Sequence, residues 1–238
     1  MGLFDMFDKS KDTKAPQRPA MDAATDGSGD DVATKLIEQL ISVGIDGRGP
    51  AKSAQVVADR ALADANGDVE KAINKLSAAY LRTAAGAGFL TGLGGFVTMP
   101  VALPANILEF YVVATRMVAG IAHLRGYDLN KPQVRTAVLL TLSGSGGYDV
   151  LQKVGVNPVT GKATAVALER LPQAALMMVN KGIGFRLIRQ LTTKSLSKLG
   201  KLVPFAGGVI GGGLDLYLMN RIADNARKEF PLVVGSTL

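Results

Sequence analysis

The sequence predicts an all-α protein, and three observations predict it. Aromatic residues are only 5% of the chain while hydrophobic residues are 47%. Apolar residues recur every three or four positions in several windows, as they do on one face of a helix. The alternation that marks a half-buried strand is weak everywhere. We therefore expect a single compact multi-helix domain with a glycine-rich, closely packed central helix pair and a flexible N-terminal arm.

The first 31 of the 238 residues predict the flexible arm. From residue 8 to residue 31 the chain is polar, contains Pro and Gly, and lacks a periodic apolar pattern. A cluster of large apolar residues at the very beginning is either a weak interfacial anchor or a frayed terminus; it comprises Leu3, Phe4, Met6 and Phe7. The helical domain then covers residues 32–230, and residues 231–238 form a tail.

Three short amphipathic helices with glycine turns are expected after the arm. Asp30 or Asp31 caps the first helix, which continues through Val43. Pro50 opens the second helix, because a first helical turn tolerates a missing backbone N–H. Asp68 caps the third helix.

The stretch GFLTGLGGFVTMPVALP, residues 88–104, contains no charged residue. With its neighbours the uncharged run exceeds the roughly 20 residues that a bilayer core requires, but two prolines interrupt it. Small residues at four-residue spacing let helix backbones approach closely. We expect a buried connection that packs against residues 207–213, with a re-entrant membrane hairpin as the alternative. The packing glycines would be Gly88, Gly92, Gly95, Gly207 and Gly211.

The second half of the chain predicts further helices. A long helix should run from Pro104 to Leu124 and another from about 132 to 142. Residues 162–199 read as helical, with a bend at Pro172 and a break near Gly182 or Gly184. A last helix lies within residues 202–230.

The net charge of +7 is concentrated in a window that no Asp or Glu interrupts, residues 180–201. Apolar residues interleave with the basic ones, so this helix can lie on anionic lipid, where each basic residue contributes about 1 kcal/mol. Nucleic acid is a weaker expectation, because no aromatic stacking platform accompanies the window. The candidate binding residues are Lys181, Arg186, Arg189, Lys194, Lys198 and Lys201.

Polar residues interrupt the apolar pattern of the helix from Pro104 at seven-residue intervals: Glu109, Arg116 and His123. If this stripe faces inward, each side chain needs a partner from another helix, because an unpaired buried charge is costly. Asp215 is the expected partner of Arg116. The alternative is a solvent-facing edge. A catalytic Glu109–His123 pair is disfavoured, since 14 residues of helix separate the two by about 21 Å.

Several kinds of chemistry find no support. The chain has no cysteine and one histidine, which removes cysteine-containing and histidine-rich zinc sites; a carboxylate-bound metal stays open. The stretch GVNPVTGKA has the wrong glycine spacing for a phosphate loop and lacks its Ser or Thr. We expect no cofactor and no metal, and we assign no catalytic residue. The enzyme alternative is a hydrolase that uses carboxylates or a Ser–Lys pair such as one containing Ser195.

Four stretches resemble the bacterial EcsC family: DGRGPAKSA, GAGFLTGLGGFVTMPVALPANILEFYVVATRMVAGIAHLRGYDL, VRTAVLLTL and LVPFAGGVIGGGLDLYLMNRIADNA. The resemblance runs from about residue 32 to residue 230. It implies a bacterial protein linked to an operon that also encodes an ABC transporter, and hence work at the membrane. It implies no catalytic set.

Together these observations predict a non-enzymatic, membrane-peripheral helical protein. Its expected partner is an anionic membrane surface or a membrane protein, including ABC transporter subunits. Its expected location is the cytoplasm, at the inner face of the cell membrane. The hydrolase is the alternative, and nucleic-acid binding through the basic window is the third hypothesis.

Overall fold

The computed structural model describes residues 29–48, 52–85, 105–144, 147–156, 168–169, 171–199 and 207–233. Within these ranges there are eight α-helices, one π-helix and no strand, which confirms the all-α prediction. The α-helices are α1 (Gly29–Gln39), α2 (Ala54–Ala63), α3 (Val69–Ala85), α4 (Ala105–Leu124), α5 (Pro132–Leu142), α6 (Gly147–Lys153), α7 (Gln173–Leu199) and α8 (Gly207–Glu229). The π-helix, Leu40–Ile45, continues α1 directly.

Two helix starts show how side chains determine the boundaries. Asp68 caps α3 as expected, because its Oδ1 accepts a hydrogen bond from the backbone N–H of Lys71 at 3.0 Å. Pro50 does not open α2. Ser53 is the capping residue instead, and its Oγ accepts from the backbone N–H of Val56 at 3.3 Å.

Helix α4 is the centre of the bundle. Every residue from 111 to 122 is buried, as expected for a helix that is apolar on nearly all sides. Helices α2, α3, α5 and α8 and the π-helix all pack against it. Four of the other α-helices and the π-helix are therefore arranged around this one helix.

Helices α3 and α4 run antiparallel in a well-defined register. Arg125 Nη2 lies 2.8 Å from Glu70 Oε1 near one end. Further along, a Cβ atom added to Gly120 would lie 2.8 Å from Leu76 Cδ2, so the missing side chain permits close contact. The end of α3 and the start of α4 therefore lie at the same end of the bundle. We call this end, where residues 86–104 connect the two helices, the connection end.

Helix α8 runs parallel to α4 and antiparallel to α3. Its last turn lies beside the start of α3, where Arg227 Nη2 donates to Asn74 Oδ1 at 2.9 Å. Just beyond, Phe230 packs edge-on against Tyr127, with ring centroids 5.1 Å apart. The first half of α8 consequently points toward the connection end.

Helix α7 corrects the predicted break. It is continuous through Gly182 and Gly184, which instead mark close contacts with neighbouring helices. A Cβ atom at Gly182 would lie 2.8 Å from Val150 Cγ1 of α6, and one at Gly184 would lie 2.7 Å from the carbonyl oxygen of Ala33 in α1. Glycine is present at these two positions because two helices approach α7 closely there.

The predicted packing glycines are only partly within the described residues. Gly88, Gly92 and Gly95 lie outside them, as do residues 1–28 of the arm and 234–238 of the tail. Gly207 and Gly211 lie in α8, but their surroundings are outside the described set. The close pairing of the two glycine-rich segments and the domain boundaries remain predictions. Helix α1 begins at Gly29, within the range predicted for the arm.

Candidate functional site

The basic window is free of acids in the sequence but not in space. Lys181 Nζ forms an ion pair with Asp30 of α1. Arg186 Nη1 lies 3.2 Å from Asp149 Oδ2 of α6. These two cations therefore help to hold α7 against its neighbours, and they are less available to an external anion than the sequence suggests.

The remaining candidates of the window are distributed differently. Arg189 is exposed on α7. Lys194 and Lys198 belong to α7, but their side chains lie outside the described residues, and Lys201 lies outside them altogether. Ser195, the nucleophile of the hydrolase alternative, also has its side chain outside them.

Arg116 points into the core, with only 7% of its surface exposed. Its Nη2 donates a hydrogen bond to the carbonyl oxygen of Val43 at 2.6 Å. Val43 lies in the π-helix near its end, where carbonyl groups lack partners within the helix. The structure therefore differs from the expected Arg116–Asp215 pair: among the described residues the hydrogen bond of Arg116 goes to a backbone carbonyl.

Among the described residues no carboxylate forms an ion pair with Arg116. Burial lowers the pKa of Arg116, and the nearby hydroxyl of Tyr80 acts weakly in the opposite direction. Burial also raises the pKa of Tyr80 to about 12, so Tyr80 remains a neutral phenol at physiological pH. Nε of Arg116 is buried and has no hydrogen-bond acceptor in the described part of the chain.

His123 joins α4 to α2. Its Nε2 lies 2.7 Å from Asp59 Oδ1, and the imidazole is largely buried while the carboxylate is exposed. This partner from another helix is the arrangement expected for an inward-facing stripe. The pair bridges two helices at the end of the bundle opposite the connection end.

Glu109 and Asp215 both lie toward the connection end. Oε1 of Glu109 is buried and has no hydrogen-bond partner within the described ranges, and burial raises the pKa of its carboxyl group. Asp215 is exposed in the first half of α8, although partial desolvation also raises the pKa of its carboxyl group. No hydrogen bond or ion pair between described residues joins the two carboxyl groups.

The first half of α8 also exposes apolar surface. Tyr217 is 59% exposed and its neighbour Leu216 is exposed as well. Because α8 and α3 run antiparallel and Arg227 lies beside Asn74, ten residues back along α8 correspond to ten residues forward along α3. Tyr217 is therefore level with Ala84, at the end of α3. Two basic residues accompany this surface: Arg82 is exposed in the last turn of α3, and Arg221 is exposed one turn after Tyr217.

The sequence reasoning missed this group, which consists of Arg82, Leu216, Tyr217 and Arg221. Its members come from two helices that are more than 100 residues apart in the chain, and the packing of α8 on α3 places both helix segments toward the connection end. The sequence contained a partial signal for an exposed position. Asp215 is a charged residue in an apolar, glycine-rich segment, and Leu216 and Tyr217 directly follow it.

Two properties of the described residues bear on function. No three His, Cys, Asp or Glu side chains in these ranges come close enough to hold a metal ion. Among the helices that the structure describes, none has the length and apolar character required to span a bilayer.

Comparison with known proteins gives one match. The model of the EcsC protein family matches residues 20–232. No curated protein and no solved structure matches the chain. The matched range includes all eight α-helices and the π-helix around α4. The chain therefore belongs to the EcsC protein family.

Proposed function

We propose that this protein binds the surface of an anionic membrane peripherally, through the connection end of its helical bundle. The observation that carries the proposal is the exposed group on α3 and α8. Tyr217 and Leu216 supply apolar side chains, Arg221 supplies positive charge one turn further along α8, and Arg82 supplies it in the last turn of α3. Tyrosine is well suited to a membrane interface because its ring is apolar and its hydroxyl group is polar.

The sequence of the segment that joins α3 to α4 also supports membrane binding through the connection end. Residues 86–104, which join α3 to α4 there, carry no charge, and the overall net charge is +7. Under this proposal residues 86–104 contact lipid, as in the re-entrant alternative, and are not a connection buried in the protein. It moves the binding surface away from Lys181 and Arg186, whose charges are engaged by Asp30 and Asp149.

The expected energies are sufficient for reversible attachment. Burying a large apolar side chain contributes about 1.5–3 kcal/mol, and each basic residue near an anionic surface contributes about 1 kcal/mol. Two apolar and two basic side chains together give several kcal/mol. Affinity of this size is typical of proteins that lie on a membrane without spanning it.

Co-sedimentation with vesicles tests the proposal. We expect stronger binding to vesicles that contain anionic lipid than to neutral vesicles at low salt, with a decrease as salt screens the charges. Leu216→Ser/Tyr217→Ser should weaken binding at least about tenfold, because two large apolar side chains are lost. Equal binding to neutral and anionic vesicles would contradict the electrostatic part.

The matched control is Val56→Ser. Val56 is 49% exposed, but it lies on α2, whose Asp59 pairs with His123 at the opposite end of α4. This variant should bind vesicles like the parent. In cells, an alkaline carbonate wash of the membrane fraction should release the protein into the supernatant; retention in the membrane would mean that the attachment is not peripheral.

A further inference from the structure

Two methionines on α7 are unusually exposed for residues that continue a buried surface. Met177 and Met178 are each 65% exposed. Met177 lies on the same stripe of α7 as Lys181 and Gly184, the two residues that contact α1. Met178 lies one turn before Gly182, which contacts α6. Both methionines therefore extend contact surfaces that are occupied further along the helix.

Both methionines lie beyond the described part of α1. Helices α1 and α7 run parallel in register, because Lys181 is opposite Asp30 and Gly184 is opposite Ala33. In this register Met177 falls about one turn before Gly29, the first residue of α1. The N-terminal arm is therefore joined to α1 within about one turn of Met177.

We propose that the apolar N-terminal segment of this chain, residues 3–7, docks on Met177 and Met178. The segment contains four large apolar side chains within five positions: Leu3, Phe4, Met6 and Phe7. Contacts between methionine sulfur and aromatic rings are favourable, and methionine adapts to irregular surfaces. The docked segment covers apolar surface that α1 leaves open.

The length of the connection makes this occupant the favoured one. Residues 8–28 separate the segment from α1, and a flexible chain of this length has a root-mean-square span of about 25 Å. Packed helices lie about 8–10 Å apart, so the start of α1 is well within this span of the methionines. A tether of this kind gives an effective concentration on the order of millimolar. A second copy of the chain would reach that concentration only in very concentrated solution.

This inference goes beyond lipid binding and does not depend on it. The docking site on α7 is distinct from the exposed group on α3 and α8. Its consequence for the molecule is that the N-terminal segment and the methionines cover each other, so neither is presented to other apolar surfaces.

Disulfide cross-linking tests the docking, and the absence of cysteine from the chain makes it clean. Asp5→Cys places one thiol in the segment, and Gln173→Cys places the other on α7 one turn before Met177. Neither substitution removes an apolar side chain that the proposal uses. Under mild oxidation we expect an intramolecular disulfide whose rate of formation is independent of protein concentration.

The matched control pairs Asp5→Cys with Gln55→Cys, an exposed glutamine on α2, which does not pack against α7. This control should cross-link at least about tenfold more slowly. Adding Phe4→Ser/Phe7→Ser to the first pair should lower its rate toward that of the control, because the arm would still be tethered but would no longer dock.

Three results would overturn the proposal. Equal rates for the two cysteine pairs would mean that the segment has no preferred position. A fast rate that persists after the phenylalanines are replaced would mean that the tether alone brings the thiols together. Predominantly intermolecular disulfides would assign the methionines to an interface between two copies.

Discussion

Arg116 shows how a single residue can connect the centre of the bundle to its least regular element. The guanidinium of Arg116 is buried, and its hydrogen bond goes to the carbonyl oxygen of Val43 in the π-helix. A buried carbonyl without a donor would cost about 1–3 kcal/mol, and a buried charge without a partner would cost more. The two groups therefore stabilise each other, and this contact helps to hold the π-helix on α4.

Glu109 is a residue whose charge the fold disfavours. Burial raises the pKa of its carboxyl group, so the folded state binds this proton more tightly than the unfolded state does. The stability that protonation contributes is present at low pH and is lost as pH rises through the folded-state pKa. Glu109→Gln removes the charge while keeping the shape, and it should therefore stabilise the protein at pH 7.

Urea unfolding at two pH values checks this prediction. The stabilising effect of Glu109→Gln should shrink when the pH falls below the ordinary glutamate pKa of 4.5, where the carboxyl group is protonated in both states. A variant that is less stable than the parent at pH 7 would mean that the carboxylate of Glu109 has a partner that favours its charge.

At the scale of elements, α7 is held in place by two glycines. In an exposed helix the change from Gly to Ala stabilises by up to about 1 kcal/mol. At Gly184 the added Cβ would lie 2.7 Å from the carbonyl oxygen of Ala33, which is backbone and cannot easily move. Gly184→Ala should therefore lower the melting temperature despite the better helix propensity, and Gly184→Leu should cost about 1–3 kcal/mol or more.

The control for Gly184 is Ala174→Leu on the same helix. Ala174 is exposed, so a leucine there should change the free energy of unfolding by no more than about 0.5 kcal/mol. If Gly184→Ala melts above the parent protein, α1 and α7 do not approach as closely as this contact requires.

The elements that the sequence predicted well are those with local signals. Pro132 correctly predicted the first residue of α5, and Asp68 correctly predicted the N-terminal cap of α3. The π-helix has no comparable signal, because it depends on how Leu40–Ile45 packs against α4. The predicted break in α7 was wrong because glycine permits a break and a close contact alike, and only the neighbouring helices decide which occurs.

The candidate site was harder to predict than the fold, and the reason is sequence distance. Lys181 and its partner Asp30 are 151 residues apart, and Arg186 and Asp149 are 37 apart. A local window shows the charge of a segment but not the charges that packing brings to it. The cationic surface available to a ligand is thus a property of the whole molecule.

The whole molecule has two unlike ends. Contacts between polar side chains bridge different elements at the end where α4 finishes: Arg125 with Glu70, His123 with Asp59, and Arg135 with Asp46. The connection end instead has the exposed Tyr217 and the Oε1 of Glu109, which is buried and has no hydrogen-bond partner among the described residues; the uncharged residues 86–104 join α3 to α4 at this end. This asymmetry gives the bundle a direction, and the proposed orientation on a membrane follows from it.

The antiparallel packing of α3 on α4 also sets the minimum length of the connection between these two helices. Neighbouring helix axes lie about 8–10 Å apart, whereas the 19 residues from 86 to 104 could reach about 65 Å when extended. Helix connections in bundles usually need only about 2–8 residues. Most of this length is therefore unnecessary for closing the hairpin. Replacing residues 86–104 with a short Gly/Ser linker should leave helical circular dichroism and cooperative unfolding intact while vesicle binding falls, whereas an unfolded variant would place the segment in the core.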